Sequence, residues 1–119
     1  MVSATPAWSL ERLERACRKV LASRSNLSLK SLPAHIAADV TWAGEGKAKI
    51  RVDGHKVGVR TAVIHELLHV VLDDELRNFD TQTEEAIIEA LEEKLDRRIA
   101  ASRRRMSWWR KTIQSKIAK

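Results

Sequence analysis

The stretch TAVIHELLHVVL, residues 61–72, decides the fold and raises the main functional question. Apolar residues fill most of it, which predicts a helix buried against the rest of the protein. His65, Glu66 and His69 interrupt this apolar run, and burying such groups without partners costs several kcal/mol. We therefore expect other parts of the chain, or a bound ion, to supply partners for these three side chains.

The spacing of the two histidines suggests what that partner is. Residues four positions apart lie on the same face of a helix, about one turn from each other. The imidazoles of His65 and His69 can therefore bind one metal ion, and Glu66 lies close enough to act as a general base on water. This is the H-E-x-x-H pattern of zinc hydrolases. The alternative interpretation is a buried helix whose histidines bond to neighbouring carbonyl groups.

A third metal ligand must come from outside this helix, because a catalytic zinc site uses three protein ligands and one open position. The helix predicted from Thr83 carries Glu85 and Glu89 as neighbours on one face. One carboxylate could bind the metal while the other accepts a hydrogen bond from a ligand histidine. Glu84 is an alternative ligand, because it lies nearer than Glu85 to the centre of the apolar face of this helix. That face consists of Ile88, Leu91, Leu95 and Ile99.

The other polar residues near these positions are weaker candidates. His35 and His55 remain possible ligands, although neither belongs to a recognisable motif. Glu92 and Glu93 are expected on the solvated face of the helix.

The rest of the pattern predicts an α+β fold. We expect a small antiparallel sheet or hairpin packed against an N-terminal helix, the H-E-x-x-H helix and a long C-terminal glutamate-bearing helix. In chain order, the first predicted segment is a helix over residues 6–23, capped by Thr5 and with one apolar stripe: Leu10, Leu13, Cys17, Val20 and Leu21. A linker or a short turn over 25–34 precedes strands over 39–43 and 47–53, which are joined by a turn at 44–46; in the second strand Ala48, Ile50 and Val52 alternate with charged residues. A further short strand over 55–59 and helices over 61–76 and from 83 to about 105 follow, and residues 107–109 lead into a last amphipathic turn or two.

Length and composition narrow the class of protein. A chain of 119 residues is expected to form one domain. Cys17 is the only cysteine, which excludes a disulfide framework and a thiol-rich zinc site. No apolar run approaches the roughly 18 residues of a membrane helix, and the N-terminal residues lack a secretory pattern. We therefore expect a cytoplasmic protein that does not associate with membranes.

Charge is strongly segregated along the chain. Residues 73–96 carry 10 acidic and 2 basic side chains, whereas residues 97–119 carry 9 basic side chains and no acidic one. The basic segment admits three interpretations: a solvated helix end, a surface that binds nucleic acid or another polyanion, or a segment that folds back over the acidic cleft. The second interpretation gives an alternative function to an enzyme, namely a nucleic-acid- or partner-binding module whose zinc site is structural or vestigial.

These motifs together resemble the gluzincin metallopeptidases. The resemblance covers about residues 39–95 and rests on His65-Glu-Leu-Leu-His69 followed by a helix bearing Glu85-Ala-Ile-Ile-Glu89. It implies a zinc-dependent peptidase in which His65, His69 and Glu85 bind zinc, Glu66 is the base and Glu89 orients a ligand. The longer H-E-x-x-H-x-x-G-x-x-H pattern is absent, so the chain does not resemble metzincins.

The small size suggests the minigluzincins or small phage-type zincins, and this likeness carries further expectations. It implies a minimal zincin-like domain over residues 1–105 and a basic tail over 106–119, which in minigluzincins keeps the enzyme latent by covering the site. It also implies that an extended peptide or protein substrate pairs with an edge strand, for which we choose residues 47–53. Larger gluzincins stabilise the oxyanion with a tyrosine or a histidine. This chain has no tyrosine, so His55 or Arg60 would have to serve.

Overall fold

The structure, a computed structural model, describes residues 9–42 and 47–117, without the side chain of Trp42. It has the predicted α+β class, with a three-stranded sheet packed against helices from both ends of the chain. In chain order, the elements are α1 (Leu10–Ser23), β1 (Ser25–Leu29), β2 (Ala38–Trp42), β3 (Ala48–Val52), α2 (Val59–Val71), α3 (Asp73–Leu76), α4 (Thr81–Ala100) and α5 (Arg103–Ile117).

Helix α1 begins at Leu10, later than predicted. The side chain of Ser9 accepts a hydrogen bond of 3.1 Å from the backbone N–H of Arg12, which is the usual way a serine caps a helix. The predicted cap, Thr5, lies outside the described residues. The predicted apolar stripe is confirmed, because three of its five side chains are almost fully buried: Leu13, Cys17 and Leu21.

The sheet is mixed, with strand order β1-β3-β2. β2 and β3 form the predicted antiparallel pair, with Val40 opposite Ile50. β1 adds a parallel pairing on the other side of β3, so the predictions of a linker over residues 25–34 and of an edge strand over residues 47–53 are both wrong. The edge strand of the predicted hairpin is β2. The turn at 44–46 lies outside the described residues.

Residues 55–59 do not form the predicted strand. Asp53 accepts hydrogen bonds of 3.1 Å from the backbone N–H groups of both Leu32 and His55, and the chain turns there. Gly58 then precedes α2, which contacts α1, α4, β2 and β3. Because α2 has neighbours on most sides, all 13 of its residues are at least partly buried. Helix α2 ends at Val71, and the short helix α3 follows it.

The long predicted C-terminal helix is two helices. Asp80 caps α4 by accepting a 2.7 Å hydrogen bond from the N–H of Thr83. After α4 ends at Ala100, Ser102 accepts a bond from the N–H of Arg105 in the first turn of α5. Helix α5 therefore crosses residue 105, the predicted boundary between domain and tail, and it places Trp109 and Ile113 in the hydrophobic core.

The lengths and charges of the helices in the described ranges bear on whether any of them could span a membrane. The longest, α4, has 20 residues, and nine of them carry a charge. Within residues 9–42 and 47–117, no helix combines the length and the apolar character needed to span a bilayer.

Candidate metal centre

Three side chains from α2 and α4 converge to form a candidate metal site. His65, His69 and Glu85 each offer a ligand atom, and these atoms lie within 4.8 Å of one another. Nε2 of His65 is 3.0 Å from one carboxylate oxygen of Glu85, and Nε2 of His69 is 2.9 Å from the other. The one-turn spacing of the histidines thus brings both imidazoles to the same carboxylate.

The other nitrogen of each imidazole faces a second carboxylate. Nδ1 of His65 lies 2.6 Å from Glu92, and Nδ1 of His69 lies 2.9 Å from Glu84. A neutral imidazole carries only one N–H, so it cannot donate to carboxylates at both nitrogens. A proton or a metal cation between the Nε2 atoms and Glu85 is needed to make all four contacts favourable. The donor set therefore fits a divalent cation.

Carboxylates dominate the electrostatics around the two histidines. Burial alone would lower the pKa of His65, but the contact with Glu92 and the negative charges of Glu66 and Glu85 outweigh burial and raise it. The same negative potential favours any cation placed at the Nε2 atoms. Metal binding and protonation therefore compete for the same position.

Glu66 lies beside this group without being part of it. Its side chain is buried, with 7% of the residue exposed. Burial raises the pKa of Glu66, and the negative charges of Glu85 and Asp39 raise it further, whereas the two histidines oppose the shift. A carboxylate with a raised pKa is a stronger base toward water than an ordinary glutamate.

A cleft runs past the site between β2 and the two helices. It consists of two adjoining cavities of about 490 and 480 Å³, which share Ala38, His65, Glu66 and Glu85 in their walls. Asp39 and Val40 of β2 line one cavity, and the residues that precede β2 line the other. The candidate site therefore lies in an open cleft along the edge strand.

The structure also locates the other acidic residues considered in the sequence. Glu84 contacts Nδ1 of His69, on the far side of that ring from the three converging atoms. Glu89 lines the cleft but, within the described part of the chain, makes no hydrogen bond to either histidine. Glu92, which we expected on the solvated face, makes the closest contact to His65. The two histidine-orienting contacts thus come from Glu84 and Glu92.

Neither residue suggested for oxyanion stabilisation lines either cavity of the cleft. The guanidinium of Arg60 pairs with Asp96 at 3.0 Å, and His55 is exposed in the turn after Asp53. His35, by contrast, lines the same cavity as His65 and Glu66. The sequence contained no motif that would have selected His35, because its position depends on the path of the loop between β1 and β2.

Helix α5 lies away from this cleft. It packs against α1, α2, α4 and β1, and its residues through Ile117 contribute nothing to the walls of either cavity. The described residues therefore give no support to a C-terminal segment that covers the site.

Comparison with known proteins adds no family assignment: the chain matches no protein-family model, no curated protein and no solved structure. The function of the protein is therefore inferred from the geometry of the site.

Proposed function

We propose that this protein is a zinc-dependent peptidase in which His65, His69 and Glu85 hold the metal and Glu66 is the general base. One observation carries the proposal: both Nε2 atoms of the H-E-x-x-H helix meet a single carboxylate from α4, inside a cleft that Glu66 also lines.

The donor types favour zinc over other common ions. Two imidazole nitrogens and one carboxylate oxygen suit zinc, whereas calcium and magnesium prefer oxygen ligands alone. When bound, zinc would supply a Lewis acid that polarises a carbonyl group and lowers the pKa of water. Three protein ligands leave the open position that catalysis requires.

Glu66 would perform the proton transfers. Its raised pKa suits it to accept a proton from the attacking water and then to donate that proton to the leaving amine. Glu84 and Glu92 would keep the imidazole rings of His69 and His65 in the orientation that points Nε2 toward Glu85.

The edge strand suggests how substrate would bind. Among the described strands, β2 pairs only with β3, which leaves its other edge available to an extended peptide. Ala38, Asp39 and Val40 of this strand line the cleft beside Glu66. A peptide that added to β2 would therefore run past the candidate metal site.

His35 is the best candidate for stabilising negative charge on the substrate carbonyl. Over the described ranges, it is the one histidine outside α2 that lines the cleft. An imidazole N–H directed at the developing charge would take the place of the tyrosine that this chain lacks. We expect His35→Ala to lower kcat by about 100-fold with little change in zinc affinity.

The decisive variant is Glu66→Gln, assayed with a fluorogenic peptide library in the presence of zinc. The proposal predicts that cleavage is lost while zinc binding persists, because Glu66 is not among the three ligands. Glu89→Gln is the matched control, since it removes the same charge from the same cleft without touching a histidine, and it should retain activity. Zinc-loaded wild type that cleaves no peptide, or Glu66→Gln that cleaves as well as wild type, would refute the proposal.

A further inference from the structure

A second groove, which shares no lining residue with the metal cleft, lies where α1 meets the junction of α4 and α5. Its volume is about 640 Å³. Five arginines from these three helices line it, together with Ser102, Trp108 and two glutamates; the arginines are Arg15, Arg18, Arg98, Arg104 and Arg105.

Glu14 forms hydrogen bonds with three of these arginines and so fixes their positions. Its buried carboxylate accepts hydrogen bonds of 2.9 Å from Arg98, 3.1 Å from Arg105 and 2.9 Å from Arg18. One negative charge cannot neutralise three guanidinium groups, and their side chains keep 27 to 36% exposure. The groove therefore presents arginines whose positions are fixed before any ligand arrives.

The other two arginines of the groove, Arg15 and Arg104, do not bond to Glu14. Arg15 pairs with the exposed Glu11, whereas Arg104 makes no ion pair within the described ranges. Five cationic groups thus face two carboxylates, one of which is already shared among three arginines. An unbalanced arginine cluster of this kind matches a ligand that carries several phosphates, because guanidinium groups bind phosphate oxygens in pairs.

Trp108 adds an aromatic surface to the groove. Its ring packs partly against the core, and the guanidinium of Arg18 lies over the ring, 4.5 Å from its centroid, so a base would contact the part of the ring that stays exposed. Arg104 lies one helical turn before Trp108 on α5 and Lys111 about one turn after it, on the same side of the helix. Cationic groups that alternate with an aromatic ring are the arrangement that binds an unpaired base together with its backbone.

We propose that this arginine groove binds single-stranded nucleic acid, with the arginines on the phosphodiester backbone and Trp108 against a base. The groove shape favours a single strand over a duplex, because a stacked and paired base cannot reach an aromatic ring inside a groove. This binding activity does not depend on the metal site or on the peptidase activity proposed above.

Binding is measured by fluorescence anisotropy on the full chain. The probes are a labelled oligonucleotide of about 20 nucleotides and mixed sequence, and the same sequence as a duplex, between about 50 and 200 mM salt. We expect the single strand to bind more tightly, with affinity falling steeply as salt rises. An excess of poly-glutamate of equal charge should compete poorly, because it has no base that could contact Trp108.

Three charge reversals locate the binding surface. Arg104→Glu should weaken binding by about tenfold and reduce the magnitude of the salt slope by about 0.7, the value for one phosphate contact on a single strand. Arg15→Glu, on a different helix of the same groove, should cause a similar loss. Arg103→Glu changes the net charge equally on the neighbouring exposed position of α5, outside the groove wall, and should change affinity less than about twofold.

Circular dichroism shows whether each variant is folded. If Arg104→Glu does not fold, Arg104→Ala takes its place. Absence of binding at about 50 mM salt would overturn the proposal. So would equal losses in Arg103→Glu and Arg104→Glu, tighter binding of the duplex, or effective competition by poly-glutamate.

Discussion

Glu14 is the buried charge whose removal has the most predictable effect on stability. Both its carboxylate oxygens are used: Oε1 accepts from Arg98 and Arg105, and Oε2 accepts from Arg18 and from the indole N–H of Trp109 at 3.2 Å. Replacing Glu14 with glutamine removes the charge, leaves one oxygen acceptor and turns an NH2 group toward cations. The packing of α1 against α4 and α5 would then lose hydrogen bonds that Glu14 accepts from both helices.

The size of the loss in the free energy of unfolding depends on which partners of Glu14 are left without an acceptor. Breaking a buried ion pair by changing one partner costs about 3–5 kcal/mol. The three arginines are each about a third exposed, so water can solvate them and their contribution to the lost free energy is reduced. Trp109 is fully buried, so its indole N–H can lose its acceptor completely. We therefore expect Glu14→Gln to lower the free energy of unfolding by about 3 kcal/mol, the lower end of that range.

Urea unfolding followed by circular dichroism measures this difference. Glu11→Gln is the matched control, because Glu11 lies on the same helix and pairs with Arg15 four residues on, but at an exposed position. An exposed pair of this kind contributes only about 0.3–0.5 kcal/mol. If the two variants lose the same stability, or if Glu14→Gln loses less than about 1 kcal/mol, Glu14 does not organise this part of the core.

The same residue gives the protein a pH dependence. Burial would raise the pKa of Glu14, but the bonds from Arg98 and Trp109 and the charge of Arg18 outweigh burial, and the pKa lies below its ordinary value of 4.5. Because the folded state binds the proton less readily than the unfolded state, the stabilisation is complete above pH 4.5 and is lost as the pH falls below it. Stability of Glu14→Gln should therefore decline less than that of wild type over this acid range.

The remaining predictions concern the metal site and the core. Zinc at about 100 times its Kd should raise the free energy of unfolding by about 2.7 kcal/mol, and His69→Ala should abolish this increase; an increase that survives the substitution would place the metal elsewhere. Glu92→Gln should weaken zinc binding by about 10–100-fold, whereas Glu93→Gln, an exposed neighbour paired with Arg97, should leave it unchanged in the same titration. Burial raises the pKa of Cys17 to about 12, so Ellman's reagent at pH about 8 should label its thiol only in denaturant, and rapid labelling of the folded chain would contradict its burial.

Local spacing was sufficient to predict the histidine pair. His65 and His69 lie one turn apart on any α-helix, so their shared face did not depend on the rest of the fold. The alternation of Ala48, Ile50 and Val52 likewise predicted the buried face of β3. These features follow from periods of 3.6 and 2 residues, which are properties of the helix and the strand themselves.

The acidic residues of α4 could not be ranked in this way, because their roles depend on how α4 is rotated against α2. Relative to Glu85, a helix places Glu92 about 20° and Glu84 about 100° to one side, but Glu89 about 40° to the other. The histidines lie on the side of Glu84 and Glu92, with Glu85 between them and Glu89. That rotation is set by long-range packing of the buried face of α4, which includes Ile88 and Leu95.

Two elements that differ from the prediction, β1 and α5, also depend on distant partners. β1 contains two serines and an asparagine in five residues, and it is a strand because β3 supplies a parallel partner more than 20 residues away. The basic residues after position 105 predict a tail with only a last amphipathic turn or two, whereas the structure has a helix of 15 residues. Its connection to the fold depends on Glu14, which is 91 residues before Arg105 and 95 before Trp109.

X-ray absorption at the zinc edge of the zinc-loaded protein tests the proposed metal site most directly. The geometry predicts one zinc per chain with two imidazole ligands and a shell of nitrogen and oxygen at about 2.0–2.1 Å. A spectrum with fewer than two imidazoles, or a protein that retains no zinc after dialysis, would contradict the assignment of His65, His69 and Glu85 as a metal site.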